Sequence, residues 1–263
     1  MHRPADRTSL RTTFDSAAER YDRARPPYPG AIFDDLAASA RLGRGSRVLE
    51  IGAGTGLATV PLAERGCEVV AIELGAELAA IATRRLAAFP SAQVVIASFE
   101  DWPLPGEPFD AVVSATAFHW IDPEIRVAKA AAALRAGGTL AIIETRRVPL
   151  GDRLVADLRR CQEQWEPDNP LKIQVPIIDK PADSLLELEA SELFEAVNAR
   201  RYEWERSYTR SEYLDLAMTF SNLIALPPDR QRGAVECIGD AIDRAGGLLT
   251  ERCVNHLVLA VRA

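Results

Sequence analysis

The sequence contains few of the residues that build disulfide or metal sites. Its 263 residues include four cysteines and three histidines. Cys67, Cys161, Cys237 and Cys253 lie far apart, form no Cys-x-x-Cys pair and have no histidine at zinc-ligand spacing. We therefore expect four reduced thiols, no bound metal and a cytoplasmic protein.

Long apolar runs and an excess of positive charge are also absent. No apolar run approaches the length that crosses a membrane, and residues 1–14 lack the apolar core of a secretory signal. The formal net charge is −7, so the chain as a whole lacks the basic footprint of a nucleic-acid-binding protein. We expect a monomer or homodimer with no nucleic-acid or membrane partner.

What the sequence does have is a regular alternation of strands and helices. The short apolar runs that predict strands are 47–52, 68–74, 92–98, 109–117 and 139–145. The segments that predict helices are 57–66, 76–89 and 122–138, the last of which ends in Gly-Gly. Because the strands are apolar almost continuously, we expect a parallel sheet covered on both faces. The rhythm predicts a doubly wound α/β fold.

The second half of the chain is less regular. Helices are predicted at 151–165, 211–226 and 228–247, with Ser211 as the cap of the second, and strands at 196–209 and 253–263. Residues 166–181 predict a proline-broken loop. We expect a single domain over 1–263, in which residues 150–250 carry the last strands and a helical lid over the ligand edge of the sheet.

The stretch "VLEIGAGTGLAT", residues 48–59, predicts a strand, a tight turn and the start of a helix. Glycines in such a turn let a ligand approach the backbone closely. The dinucleotide fingerprint G-x-G-x-x-G would need glycine where Leu57 stands, and the phosphate-binding P-loop would need a lysine that does not follow. The turn therefore matches neither phosphate motif.

The run from Glu50 through Gly52 and Gly54 to Gly56 resembles the first motif of the class I S-adenosylmethionine (SAM) methyltransferases. Further resemblance lies in "FDAVVSATAFHWID" (109–122), in "LRAGGTLAI" (134–142) and in "FDSAAERYDRARPPYP" (14–29). The resemblance implies a mostly parallel, seven-stranded, Rossmann-like sheet. It also implies SAM as cofactor and S-adenosyl-L-homocysteine as product, with residues 14–40 covering the cofactor and 45–145 binding it.

The resemblance also implies a set of cofactor-binding residues. Glu73, about twenty residues after the turn, would hold the ribose hydroxyls, although an NAD enzyme would use it in the same way. Arg25, beside Tyr21, would pair with the methionine carboxylate. The adenine contact is open between Ser98, the Phe99 backbone and Glu100. The full set is Tyr21, Arg25, Glu50, Gly52, Ala53, Gly54, Gly56, Glu73, Leu74, Ser98, Phe99, Glu100, Ser114 and Ala115.

Methyl transfer is an in-line displacement, for which the enzyme mainly aligns the acceptor and excludes water. His119, just after the fourth predicted strand, is the candidate base. The alternative is a structural histidine beside Trp120, and we expect both residues to line the acceptor site. The run "AFHWID" also resembles that of trans-aconitate-type carboxyl methyltransferases.

The acceptor is expected to be a small molecule methylated on oxygen, nitrogen or a carboxylate. The run "SATAFHWID" lacks the Asn/Asp-Pro-Pro-Tyr/Phe and Pro-Cys signatures of nucleic-acid methyltransferases. An anionic acceptor could use Arg200, Arg201, Arg206 or Arg210, although we favour solvated strand and loop ends for these arginines. The alternatives are a non-catalytic SAM-binding protein, disfavoured by the intact motifs, and an NAD(P)-linked oxidoreductase, disfavoured by Leu57.

Overall fold

A computed structural model describes residues 15–166 and 178–263, which form a seven-stranded sheet with helices on both faces. The strands are β1 (Arg47–Ile51), β2 (Glu68–Glu73), β3 (Ala92–Ile96), β4 (Phe109–Ala115), β5 (Leu134–Pro149), β6 (Phe194–Thr209) and β7 (Leu248–Arg262). Their order is β3-β2-β1-β4-β5-β7-β6. The first five strands are parallel, and β7 runs antiparallel to both β5 and β6. The predicted fold class is confirmed.

The described helices lie between and beyond these strands. They are α1 (Ala18–Ala24), α2 (Gly30–Ala40), α3 (Thr59–Glu64), α4 (Ala76–Arg85), α5 (Arg126–Ala133), α6 (Asp152–Trp165), α7 (Asp183–Glu189), α8 (Arg210–Ala217), α9 (Ser221–Ile224) and α10 (Pro228–Arg244). Short 3-10 turns occupy Asp15–Ala17, Leu86–Ala88 and Phe118–Trp120. The predicted loop at 166–181 lies mostly outside the described residues.

Alternate residues of the central strands enter two separate cores. Leu49 and Val112 pack into the core on one face of the sheet, and Val48 and Ala111 pack into the core on the other. Because successive side chains of a strand point to opposite faces, a strand buried on both faces must be apolar throughout. The continuous apolar runs in the sequence have this cause. The order of the strands reverses between β1 and β4, which is where doubly wound sheets bind their ligands.

The predicted helix at 122–138 is wrong at both ends. Its start, from Asp122, precedes α5, which begins at Arg126. Its end belongs to β5, where fully buried Leu134 pairs with Phe109 of β4. Gly137 has a φ of 69°, a left-handed conformation that a continuing helix cannot contain. Burial of Leu134 in the sheet therefore outweighs the helix propensity of the alanine run.

The predicted helix at 211–226 is interrupted, and its predicted cap is wrong. α8 ends at Ala217 and α9 begins at Ser221, with buried Thr219 between them. The cap is Thr209, whose side chain accepts from the Glu212 N–H while the Glu212 carboxylate accepts from the Thr209 N–H. This reciprocal pair is a capping box, and it satisfies two backbone donors that Ser211 would leave open.

The expectation of four reduced thiols is also wrong. Cys161 of α6 and Cys237 of α10 form a disulfide, with their Cα atoms 5.7 Å apart. Cys67 and Cys253 are free and buried. The two cysteines are 76 positions apart in sequence, so only the packing of α10 on α6 brings them together. The disulfide links two helices of the predicted lid.

Candidate active site

The three glycines of the turn after β1 each have a positive φ, and they differ in what surrounds them. The φ angles are 72° at Gly52, 58° at Gly54 and 87° at Gly56. A Cβ atom at Gly52 would lie 2.4 Å from the Cβ of Ala117, whereas a Cβ at Gly54 would meet nothing within 4 Å. Gly52 is therefore required by packing, and Gly54 faces open space in which a ligand can approach the backbone.

Glu73, at the end of β2, is tied directly to this turn. Its side chain accepts hydrogen bonds from the backbone N–H of Gly54 at 2.7 Å and of Gly75 at 2.8 Å. Burial raises the pKa of Glu73, and these backbone hydrogen bonds oppose that effect. A carboxylate has about four lone-pair sites, so Glu73 can still accept from ribose hydroxyls. Leu74 follows it, half-buried.

Glu50, near the end of β1, and Ala53, within the glycine turn, are both buried. Glu50 is 1% exposed, and its Oε2 atom has no hydrogen-bond partner among the described residues. Burial raises the pKa of Glu50 to about 8, the Thr59 side chain opposes this rise, and the nearby charge of Glu73 adds to it. Glu50 therefore carries a proton at neutral pH. Ala53 is buried and donates its N–H to the Ile72 carbonyl, which fixes the turn against β2.

The three adenine candidates after β3 lie in different surroundings. The Ser98 hydroxyl donates to Asp101 at 2.7 Å, and Glu100 accepts from the N–H of Asp122 at 3.2 Å. The Phe99 side chain is 1% exposed and belongs to the apolar core. At the end of β4, buried Ser114 donates to the carbonyl of Ile51, and half-buried Ala115 follows it. That hydrogen bond holds the ends of β1 and β4 together.

Tyr21 and Arg25 project from α1, which is held in place at both ends. Asp15, just before α1, accepts from the N–H groups of Glu77 and Leu78 at the start of α4. Arg25 donates to the hydroxyl and to the carbonyl of Thr219, both at 2.9 Å, and its guanidinium lies 4.8 Å from the Tyr21 ring centroid. The α8–α9 connection therefore fixes the direction of the Arg25 side chain.

A narrow cavity opens between α1, the glycine turn and the strand ends. The residues that line it are Tyr21, Arg25, Pro26, Pro27, Tyr28, Leu57, Thr116, Thr145, Arg147, Trp204 and Asn255. Hydrogen bonds hold its polar wall: Trp204 donates to Asn255 at 2.7 Å, and Asn255 donates to Thr145 at 2.8 Å. Tyr28 and Thr116 hydroxyls lie 2.9 Å apart.

Of these residues, sequence reasoning named only Tyr21 and Arg25 as site residues; the missed residues that lie on strands are Thr145, Arg147, Trp204 and Asn255. They come from three strands whose pairing depends on the whole fold. Thr145 pairs with Asn255, and both Arg147 and Trp204 pair with Cys253. The available signal was the change from apolar residues to "ETRR" at the end of the fifth predicted strand, because ligands bind beyond the carboxyl ends of parallel strands.

His119 and Trp120 lie in the 3-10 turn after β4, with ring centroids 4.9 Å apart. His119 is exposed to the solvent, yet the surrounding protein lowers its pKa by desolvation, against the charge of Glu144. Its imidazole is therefore neutral at pH 7 and able to accept a proton. Among the described residues that line the narrow cavity, neither His119 nor Trp120 occurs.

The four arginines considered for an anionic acceptor lie outside this cavity. Arg200 pairs with Asp35, Arg210 with Asp243, and Arg201 with both Asp179 and Glu203. Arg206 lies over the Tyr208 ring at 5.1 Å. These contacts agree with the favoured interpretation of solvated strand and loop ends.

The described residues include no helix that is long and apolar enough to cross a membrane. They also include no group of three His, Cys, Asp or Glu side chains that could hold a metal ion. The strand order, the glycine turn and the carboxylate at the end of β2 together define a nucleoside-binding α/β fold of the methyltransferase type.

Comparison with known proteins assigns the family. A model of the methyltransferase domain matches residues 48–138. An uncharacterized methyltransferase of Mycobacterium tuberculosis (strain ATCC 25618 / H37Rv) is 31% identical over 222 residues, covering 84% of this chain and 82% of the relative.

Solved structures show the same fold. A candidate type II methyltransferase from Anaeromyxobacter dehalogenans matches with a TM-score of 0.61 at 23% identity, over 90% of this chain and 97% of that one. A SAM-dependent methyltransferase from Thiobacillus denitrificans, in complex with S-adenosyl-L-homocysteine, matches with a TM-score of 0.52 at 16% identity, over 93% and 96%.

The chain belongs to the class I SAM-dependent methyltransferases, and its cofactor is SAM. The open space at Gly54 and the free lone pairs of Glu73 fit this cofactor. The alternative of an NAD(P)-linked oxidoreductase is thereby set aside. The likeness to trans-aconitate-type enzymes stays a prediction.

Proposed function

We propose that this chain transfers the methyl group of SAM to an oxygen, nitrogen or carboxylate of a small molecule and releases S-adenosyl-L-homocysteine. One observation carries the proposal. The narrow cavity brings Leu57 of the glycine turn together with polar side chains of β5, β6 and β7 and of the turn after β4, beneath α1. A cavity lined on these sides favours a small acceptor over a nucleic-acid strand.

In this proposal the cofactor lies across the ends of β1, β2 and β4. Its methionine and ribose parts pass over Gly54, where a side chain would otherwise project, and its ribose hydroxyls donate to Glu73. Its adenine would be read by Ser98, by the Phe99 backbone or by Glu100; the Phe99 ring itself is in the core. Arg25 binds its carboxylate through the part of the guanidinium that Thr219 does not use.

The residues of this chain contribute mainly alignment and the exclusion of water. SAM carries a methyl group already activated by the positive sulfur, so a well-aligned acceptor needs little further help. α1 covers the cavity, and Asp15 and Thr219 hold the two ends of that cover. For an acceptor that must lose a proton, the proposed base is neutral His119, which lies in the 3-10 turn after β4 outside the lining of the narrow cavity, so the acceptor would have to extend toward that turn. A carboxylate acceptor needs no base.

The test is transfer of a labelled methyl group from SAM in a cell extract that contains both metabolites and macromolecules, followed by separation of the small molecules from the macromolecules. We expect label in the small-molecule fraction, and the mass of the product then identifies the acceptor. Label confined to protein or nucleic acid would contradict the proposal. Absence of label, with binding of S-adenosyl-L-homocysteine confirmed by calorimetry, would favour a non-catalytic SAM-binding protein.

A further inference from the structure

Arg147 is a positively charged side chain that forms no ion pair with any of the described residues. It lies near the end of β5 and lines the same narrow cavity as Arg25. Its Nη1 atom is buried and has no hydrogen-bond partner among the described residues. The ion pairs among the described residues do not include Arg147. No carboxylate oxygen of these residues therefore lies within 4 Å of its guanidinium nitrogens.

Leaving a partly buried guanidinium without an ion pair is costly, and the charges near Arg147 act on it in opposite directions. A buried charge normally has a partner that offsets the loss of hydration. Arg25 is close enough for its charge to interact with that of Arg147. The charge of Glu251 attracts both arginines; this carboxyl group is 2% exposed, and its Oε2 atom has no hydrogen-bond partner among the described residues. Arg25 and Arg147 therefore both line the cavity, and neither forms an ion pair with Glu251.

The two arginines differ in how they are held. Arg25 uses Nε and Nη2 on Thr219 and is packed near the rings of Tyr21 and Phe220. Arg147 has no such side-chain anchor among the described residues, and it pairs across the sheet with Cys253, as Trp204 does. In antiparallel pairs, opposed residues lie on the same face of the sheet. Arg147 therefore shares its face with the indole of Trp204.

We propose that Arg147 binds a carboxylate of the methyl acceptor, so that the acceptor is a small carboxylic acid. This inference rests on the proposed function and names its substrate class. The planar guanidinium matches a carboxylate with two parallel hydrogen bonds. Trp204 and Tyr28 then flank the body of the acceptor, with Leu57 directing it toward the glycine turn. Arg25 and Arg147 thus take one anion each, the first from the cofactor and the second from the acceptor.

The first test passes the small molecules of the cell extract over an anion-exchange resin before the labelling reaction. We expect the retained, anionic fraction to support methyl transfer at least tenfold better than the flow-through. Treatment of the retained fraction with phosphatase should leave the activity unchanged. Acceptor activity in the flow-through, or its loss after phosphatase treatment, would overturn the carboxylate assignment while leaving the methyltransferase function intact. Absence of label from both fractions would remove the proposed function and this inference with it.

The second test compares two arginine variants with the retained fraction as acceptor. We expect Arg147→Met to raise KM for this fraction at least tenfold, with affinity for S-adenosyl-L-homocysteine within twofold of wild type. Arg200→Met is the matched control, because Arg200 is an exposed arginine already paired with Asp35, and its KM should not change. Arg147→Lys, which keeps the charge and loses the fork, should recover part of the loss. Wild-type KM in the folded Met and Lys variants would overturn the role of Arg147.

Discussion

At Gly54 the backbone lies next to open space, so a side chain there would not collide with the rest of the protein. The absence of a side chain at Gly54 therefore serves the ligand rather than the packing of the chain. We expect Gly54→Val to abolish binding of S-adenosyl-L-homocysteine in calorimetry, because the side chain would fill that space. Its φ of 58° also disfavours valine. Gly45→Val is the control, since Gly45 has a φ of 81° and open space around it in the turn before β1. Equal affinities of the two folded variants would contradict this account of the glycine turn.

Glu73 links the backbone N–H groups of Gly54 and Gly75, and it is the proposed acceptor for the ribose hydroxyls. We expect Glu73→Ala to weaken binding of S-adenosyl-L-homocysteine by about 1–3 kcal/mol, the range for hydrogen bonds to a charged group. Calorimetry gives the affinity, and urea unfolding of the unliganded variant reports separately on the lost bonds to Gly54 and Gly75. Wild-type affinity in a folded variant would show that the ribose is held elsewhere.

The raised pKa of Glu50 has a consequence for stability. Its pKa is about 8 in the folded chain, against 4.5 for an ordinary glutamate side chain, so between these values the folded state holds a proton that the unfolded state has released. The contribution of Glu50 to stability is therefore lost as pH rises through that window.

Urea unfolding of the unliganded protein at pH 5 and pH 8 tests this sign. We expect the free energy of unfolding to fall less between the two pH values in Glu50→Gln than in wild type, because glutamine cannot ionise. A drop of equal size in both proteins would contradict the raised pKa.

Among the elements, α1 is held in place by contacts far away in sequence. The cap Gly75 of α4 offers no side chain, and Asp15 accepts from the first N–H groups of that helix instead. We expect Asp15→Ala to cost roughly 1 kcal/mol of stability, as other N-cap losses do. It should also weaken cofactor binding, because α1 carries Tyr21 and Arg25.

The measurements are urea unfolding and calorimetry with S-adenosyl-L-homocysteine. Thr209→Ala removes the cap of α8 and provides a comparison in which a helix start is lost without touching the α1–α4 contact. A loss of stability in Asp15→Ala with wild-type affinity would mean that α1 does not position the cofactor site.

Predictions from the sequence were correct where a feature depends on the residues of the element itself, and wrong where it depends on a contact with another residue. Strands β1 to β5 were predictable because burial on both faces leaves a continuous apolar run in each strand. The end of α5 was not, since it depends on Leu134 packing beside Phe109. The cap of α8 was misplaced by two residues because Ser211 and Thr209 carry similar hydroxyls, and the return bond from Glu212 decides between them.

At the site the same distinction applies. The cofactor motif was readable because it occupies one strand, one turn and the next strand end. Arg147 was missed because nothing near it in sequence marks it as unpaired, and the cavity that it lines is assembled from β4, β5, β6 and β7. Conversely, Arg200 and Arg201 were considered from the sequence as partners of an anionic acceptor, and the structure pairs both with carboxylates.

On the scale of the whole molecule, the parallel half of the sheet and the antiparallel half perform separate tasks. β1 to β4 present the cofactor turn, while β5, β6 and β7 extend beyond them to form the polar wall of the cavity. The helices packed on this extension, α6 and α10, are joined by the Cys161–Cys237 disulfide. The acceptor wall therefore belongs to the part of the chain outside the match to the methyltransferase-domain model, which ends at residue 138.

The most direct measurement is transfer of labelled methyl from SAM into the small molecules of a cell extract by wild type and Gly54→Val, side by side. We expect label in a small molecule with wild type and none with the variant. Label restricted to macromolecules, or equal labelling by the variant, would contradict the claim that this glycine turn delivers the methyl group to a small acceptor.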